Sequence, residues 1–375
     1  MSQRSQLRIV YLILIAVFIF SMTVPGANPV RAEQPASLIQ PVTNSTPTCW
    51  ALDIVLLIDN TGSMFREWED TGTGLKHPAS DPRGYRWMGA EEVLERLILN
   101  RMEECPQAVN RLGVIAFASG IRTVLSLIEI NLNPGDDAAV WVDPYMREIG
   151  DAANDQNEPY QNGTDPMKAL KAAEDLCNNT TTPADPAGYA PRRKVVIFLT
   201  DGNPQAVGPM EDYMCGLVRY ANDNAWLDTS MWVLPLHASY NYLNINAGCN
   251  GHKFSDDWRD IVNYENRLRK GQLLDLPYND QLIPYLILQI VNAEFGRPGQ
   301  EIKCGVPFYV DPYLQRATFT FFRQENMPNL LVTLKKLEAK EPVLEVKEGQ
   351  VAASNLAPDS AMTFTYKQTS LREDY

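Results

Sequence analysis

Apolar and polar positions along the chain follow two rhythms that take turns. "IVLLI" (Ile54–Ile58) is an unbroken run of β-branched residues and leucine closed by polar residues, the composition of a strand buried on both faces. In "GAEEVLERLILNRM" the residues Val93, Leu94, Leu97, Ile98 and Met102 fall on one stripe, which predicts an amphipathic helix. "RLGVIAFAS" and "TVLSLIEI" read as strands. "TDPMKALKAAEDLC" reads as a helix, with Asp165 as its cap and Pro166 in its first position. A further doubly buried strand, "KVVIFLTDG", precedes the helix "MEDYMCGLVRYAND". "MWVLPLHA" is a fifth strand, weakened at its centre by Pro235, which cannot donate to a ladder. The last helix, "NDQLIPYLILQIVNAEF", presents Leu282, Ile283, Leu286, Ile287 and Ile290 as a broad apolar face. This alternation predicts an α/β domain with a doubly wound, mostly parallel central sheet and helices on both faces.

Beyond Gly296 the rhythm changes. "RPGQ" reads as a linker, and "FYVDPYLQRATFTFFR", "NLLVTLKKL", "VLEVKE" and "MTFTYKQ" show strand periodicity with no helix between them, which predicts a small β-rich, sandwich-like module. The chain stops soon after the last of these strands, so the module is either small or incomplete. At the other end, Arg4 and Arg8 precede the apolar run "IVYLILIAVFIF" (Ile9–Phe20). That run suits a signal peptide and falls short of the ~18 residues of a membrane span. Val30 and Ala32 supply the small residues before a cleavage point after Ala32. The expected organisation is a signal peptide over 1–32, a linker over 33–48, the α/β domain over 49–295, a linker over 296–304 and the β-rich module over 305–375. An uncleaved N-terminal anchor is the alternative, and either leaves the bulk of the chain outside the cytoplasm.

Composition narrows the chemistry. The 375 residues carry a formal net charge of −13 and no Lys/Arg-rich patch, which argues against a nucleic-acid partner. The three histidines, His77, His237 and His252, are scattered without metal-ligand spacing, so histidine-based zinc chemistry and Ser-His-Asp hydrolysis are poor fits. An exported chain makes its six cysteines candidates for disulfides. At least two bridges are expected. Cys105 and Cys177 each end a predicted helix, and Cys249 and Cys304 bracket one segment of little periodicity; those two pairings are favoured. Asn44, Asn162, Asn178 and Asn179 open N-x-[ST] sequons, which matter only in a glycosylating host.

Three oxygen-rich clusters fall at the ends of these elements. "DNTGS" follows the first strand, "TDG" follows the fourth, and "NGTDP" enters a helix. Ligands of doubly wound sheets bind outside the carboxyl ends of the strands, so Asp59, Thr61, Ser63, Thr164 and Asp201 are expected to converge on one edge. Two carboxylates with three neutral hydroxyls suit a hard, octahedral cation.

Taken together, the set resembles the metal-ion-dependent adhesion site of the von Willebrand factor type A domain family. That family's D-x-S-x-S motif matches Asp59, Thr61 and Ser63, with threonine keeping the first hydroxyl; its separate threonine matches Thr164, and its distal aspartate matches Asp201. The resemblance covers roughly Cys49 to Phe295. It implies a site for Mg²⁺, with Mn²⁺ or Ca²⁺ as alternatives, whose ion is ligated by an Asp or Glu of a protein partner. The sequence departs from the family by inserting "FREWEDTGTGLKHPASDPRGYR" after the first loop and by a long segment after the fifth strand. Both are expected at or beside the binding edge.

Other readings fit less well. "DNTGS" comes close to the D-T-G-S of aspartic proteases, but Asn60 breaks the motif and those enzymes need a second such carboxylate in an all-β setting. "IDNTG" is similar to the aspartate loop of subtilisin-like proteases, yet no histidine or serine motif of that class follows. No nucleophile–base pair can be assembled, so the expectation is a non-enzymatic, secreted or surface-displayed binding protein that does not insert in a membrane once its signal is removed. A tethered structural or sensing ectodomain with a non-adhesive metal site is the alternative.

Overall fold

In the computed structural model, a ten-residue strand, β1 (Trp50–Asp59), runs through the middle of a five-stranded sheet. The structure describes residues 49–69, 76–133, 135–154, 163–201, 204, 209–236, 245–274 and 283–296, together with the backbone of four strands beyond them. The expected signal peptide and first linker, residues 297–304 of the expected second linker, and Cys304 lie outside the described residues. On either side of β1 stand β4 (Arg111–Phe117) and β6 (Ala190–Thr200), both parallel to it. Beyond β6 lies β7 (Thr229–Pro235), also parallel, while β5 (Ile121–Glu129) pairs antiparallel with β4 at the opposite edge. The order is β5-β4-β1-β6-β7. Two short strands, β2 (Trp68–Glu69) and β3 (Lys76–His77), pair in the insertion after the first loop. Pro235 is the last residue of β7, so its missing N–H interrupts no ladder; the next amide, Leu236, donates to Thr200 O at 2.7 Å.

Alternation along β1 divides the core into two layers. Leu52, Ile54, Leu56 and Ile58 face α2 (Tyr85–Leu99), α3 (Ala138–Asn154) and α7 (Ile283–Glu294). Val55 and Leu57 face α4 (Pro166–Asn178), α5 (Met210–Ala221) and α6 (Phe254–Val262). Successive strand residues point to opposite faces, which is why one apolar run serves both layers. A single-turn helix, α1 (Gly62–Phe65), follows β1 directly. Gly89 lets α2 approach α7: a Cβ there would lie 2.1 Å from Ile287 Cδ1. Away from the site edge, Asp53 is buried between Arg111 Nε at 2.8 Å and Arg192 Nη1 at 2.7 Å.

Two elements differ from the sequence expectation. Helix α3 was not anticipated; it buries only Ile149 and Ala152 fully and contains Pro144, which lacks the amide a helix interior uses. The segment after β7 is organised by tertiary contacts. It forms α6 and then returns to β7, where Val233 N–H donates to Gln272 O at 3.1 Å and Leu274 N–H to Val233 O at 2.9 Å. This parallel bridge extends the sheet by one rudimentary strand. Buried Arg267 fastens the segment by donating to the carbonyls of Trp226, Thr229, Ala221 and Ile261. Beyond the α/β domain, β8 (Arg316–Phe321) pairs antiparallel with β11 (Met362–Lys367), and β9 (Leu331–Lys335) with β10 (Pro342–Lys347). All four coincide with runs that the periodicity marks as strands.

The disulfides correct the expected pairings. Cys49 bonds Cys105 and Cys215 bonds Cys249, while Cys177 is a free, half-buried thiol. Cys105 is already joined to Cys49 beside β1, so it does not pair with Cys177 of α4. Cys249 is already joined to Cys215 of α5, so it does not pair with Cys304. With four cysteines engaged, the denatured, unreduced chain is expected to expose at most two reactive thiols. The bridges close loops of 56 and 34 residues, and in the chain-entropy account each is worth about 4 kcal/mol. Urea titration with and without reductant measures this, and six reactive thiols would refute both bridges.

Candidate metal centre

Strand β1 delivers its last residue, Asp59, to a position with no access to water. The ladder continues one step past it, with Asn60 N–H donating to Phe117 O at 2.8 Å. The chain then turns into α1 with Thr61 in an extended conformation at the cap. Thr61 donates twice to Asp59 Oδ1, from its amide at 3.0 Å and from Oγ1 at 2.7 Å. Thr200, the last residue of β6, donates from Oγ1 to Asp59 Oδ2 at 2.8 Å. Burial raises the Asp59 carboxyl above its ordinary range; the hydrogen bonds from Thr61 and Thr200 and the nearby positive charge of Arg86 oppose that rise without cancelling it.

The second carboxylate arrives from β6. Asp201 is buried, and Ser63 Oγ donates to its Oδ2 at 2.7 Å. The two hydroxyl oxygens, Thr61 Oγ1 and Ser63 Oγ, lie 3.0 Å apart. Asp59 Oδ1, Thr61 Oγ1, Ser63 Oγ and Asp201 Oδ2 therefore form one row of four oxygens with three short contacts. Two hydroxyls bring two protons to it. If both carboxylates are ionised, one of the three contacts carries no proton, and a cation beside the row would be attracted to its concentrated negative charge. Among the described residues no group of three or more His, Cys, Asp and Glu could hold a metal ion, so an ion here would rely on hydroxyl oxygens as well as carboxylates. That donor set is the one a hard cation accepts.

Thr164 stands apart from the row. It is buried at the entrance to α4, after Gly163, whose φ of 108° only glycine adopts without strain. No hydrogen bond among the described residues joins its hydroxyl to the row. Its loop is nonetheless anchored to the same edge, because Asp165 N–H donates to Ala118 O at 3.0 Å, one residue past the end of β4. Asp165 also caps α4, accepting from Lys168 N at 3.0 Å, as the sequence predicts.

The insertion reaches the site as expected. Ser80 N–H donates to Ser63 O at 2.9 Å and Asp81 N–H to Met64 O at 2.7 Å. Arg86, buried at the start of α2, pairs with buried Asp81 at 2.8 Å and donates from Nη2 to Asn60 Oδ1 at 3.2 Å. Two site residues escaped the motif-based reading. Thr200 precedes Asp201 at the end of β6, one residue beyond the Ile58–Leu199 pair of the sheet, and that register is its only signal. Arg86 belongs to the insertion, and nothing in local spacing marks it as a neighbour of Asp59.

No protein-family model matches the sequence, and no curated protein does either. Among solved structures, the chain resembles a von Willebrand factor type A structure from Catenulispora acidiphila, at 14% identity over 66% of this chain and 43% of that one, with a TM-score of 0.39. It also resembles proximal thread matrix protein 1 from the mussel byssus, whose structure has a zinc-occupied site of the adhesion type, at 16% identity over 67% and 50% of the two chains and a TM-score of 0.36. The PilB minor pilin from Streptococcus sanguinis follows at 11% identity, 68% and 64% coverage and a TM-score of 0.42. The chain spans half or less of the first two. At these identities the likeness is one of fold.

The burial of Asp59 has a measurable consequence. Its folded pKa lies above the unfolded value, so its ionisation disfavours the ion-free fold. That effect is absent in acid and grows as pH rises from about 3.8 through the raised folded value. In chelator, Asp59→Asn is expected to melt higher than the parent at neutral pH, with the advantage shrinking in acid. Thermal midpoints across pH test this; an advantage that does not change with pH would contradict it.

Proposed function

We propose that this chain, which has the fold of the von Willebrand factor type A domains, recognises a protein partner through a divalent cation at the edge of its sheet. The observation that carries the reading is the proton-deficient row of four oxygens between two buried carboxylates. Thr61, Ser63 and Thr164 would supply hydroxyl oxygens, and Asp59 and Asp201 would hold the ion directly or through water. The hydroxyls add no negative charge, and where a carboxylate acts through water the ion keeps part of its own charge. Such an ion is electrophilic enough to accept one more oxygen, and an Asp or Glu side chain of the partner suits that position. Mg²⁺ fits the compact donor set, with Mn²⁺ and Ca²⁺ as alternatives.

The reading is a binding role without catalysis. Among the described residues the site holds hydroxyls hydrogen-bonded to carboxylates and no histidine. A place outside the cytoplasm accords with two disulfides and with the N-terminal apolar run. Among the described residues no helix is long and apolar enough to cross a membrane.

Calorimetric titration of the chelator-treated protein with Mg²⁺ and Mn²⁺ tests the reading. The parent is expected to bind one ion. Thr164→Val, which keeps volume and removes one oxygen, is expected to weaken binding about tenfold, or roughly 1.4 kcal/mol. Asp59→Ala is expected to abolish both ion binding and chelator-reversible partner capture. If both variants bind as tightly as the parent, the clusters are ordinary polar turns.

A further inference from the structure

Helices α4 and α5 each follow a loop that carries one of the candidate ligands. Thr164 opens α4, and α5 is the first helix after Asp201 along the chain. The two helices are joined by a side chain that the ligand set does not include. Tyr213, in the first turn of α5, donates its hydroxyl to Asp165 Oδ1 at 2.7 Å and accepts from Met167 N–H at 3.0 Å. The first four amides of a helix have no partner inside it. In α4, Pro166 has no amide proton, Lys168 N–H is taken by Asp165, and Met167 N–H is satisfied from α5 by Tyr213. The tyrosine thus completes the cap of the helix that Thr164 opens.

The same aspartate is held from its other side. Asp165 N–H donates to Ala118 O at 3.0 Å, and Lys168 Nζ, 3.2 Å from Asp165 Oδ2, donates to Ser119 O at 2.9 Å. These carbonyls belong to the β4–β5 turn, and β4 in turn holds the first loop through Asn60 N–H and Phe117 O. The connections run from the "DNTGS" loop to the end of β4, on to the threonine loop, and through the Tyr213 hydroxyl to α5. Thr164 itself makes no hydrogen bond to the oxygen row among the described residues. These bonds are the ones that hold its loop to the neighbouring elements.

We propose that Tyr213 is a positioning residue that fixes the spacing between Thr164 and the two buried carboxylates, and that it thereby favours a small ion over a larger one. The inference rests on the cation reading above. Mg²⁺ demands near-ideal octahedral geometry with short bonds, whereas Ca²⁺ accepts longer bonds and irregular coordination. Loosening one ligand loop penalises the first ion more than the second. A purely structural role for the hydroxyl predicts no such asymmetry.

Tyr213→Phe removes the hydroxyl and keeps the ring, and Asp165→Ser keeps a good helix cap that is too short to reach Tyr213. Full-length parent and variants, confirmed as folded by thermal melts, are titrated with MgCl₂ and CaCl₂. In either variant the Mg²⁺ affinity is expected to fall about fivefold, the scale of one lost hydrogen bond, and the Ca²⁺ affinity clearly less. In the ion-free state the Met167 amide is expected to exchange faster in Tyr213→Phe. If one variant does not fold, the other decides. Equal losses for the two ions, or no loss, in a folded variant would overturn the inference while leaving the cation site intact. A parent that binds neither ion removes the cation reading and this inference with it, whatever the amide does.

Discussion

Burying the Asp59 carboxylate at the end of the central strand is the constraint around which the site edge is organised. A strand with neighbours on both sides cannot tilt its last residue into water. The cost of desolvating that charge must be offset by donors brought from elsewhere. Thr61 comes from the turn that follows, Thr200 from the neighbouring strand, and the positive charge of Arg86 from an insertion pinned to the same loop. Each requires its element to end or begin at one particular residue. The register of β1 against β6 and the docking of the insertion are thus parts of the same electrostatic requirement.

The arrangement also holds the edge together although the candidate ligands sit on loops. The parallel sheet carries the strand ends in fixed register, and the loops are tied laterally to one another. Backbone bonds connect the first loop to the end of β4 and the threonine loop to the β4–β5 turn, and side chains connect the threonine loop to α5. The disulfides act farther out. One closes the start of β1 onto the segment after α2, and the other joins α5 to the segment after β7.

Much of this was legible in the chain itself, because the responsible forces act locally along it. Runs such as "IVLLI" and "KVVIFL" have the β-branched composition and short length of doubly buried strands. Asp165 before Pro166 can be read as a helix start from capping chemistry alone. The alternation of such segments restricts the fold to a layered α/β sheet, and oxygen clusters at the strand ends then mark the edge where Asp59, Thr61, Ser63 and Asp201 meet. Glycine before Thr164 likewise signals a backbone that must turn sharply.

What the sequence left open are the partnerships between segments far apart along it. Thr200 orients Asp59 across 141 positions, and Ser63 meets Asp201 across 138; the first was invisible until the strands lay in register. Arg86 and Tyr213 look like ordinary helix residues, since the atoms they serve belong to other elements. Cysteine pairing went astray for the same reason, because the partners of Cys105 and Cys249 lie 56 and 34 positions away along the chain. Helix α3 was missed because its contacts with the core are shallow and Pro144 interrupts its local signal. Propensity, patterning and capping are written residue by residue. Register, face and burial depend on which elements stand side by side, and those were decided by packing both faces of the central strand at once.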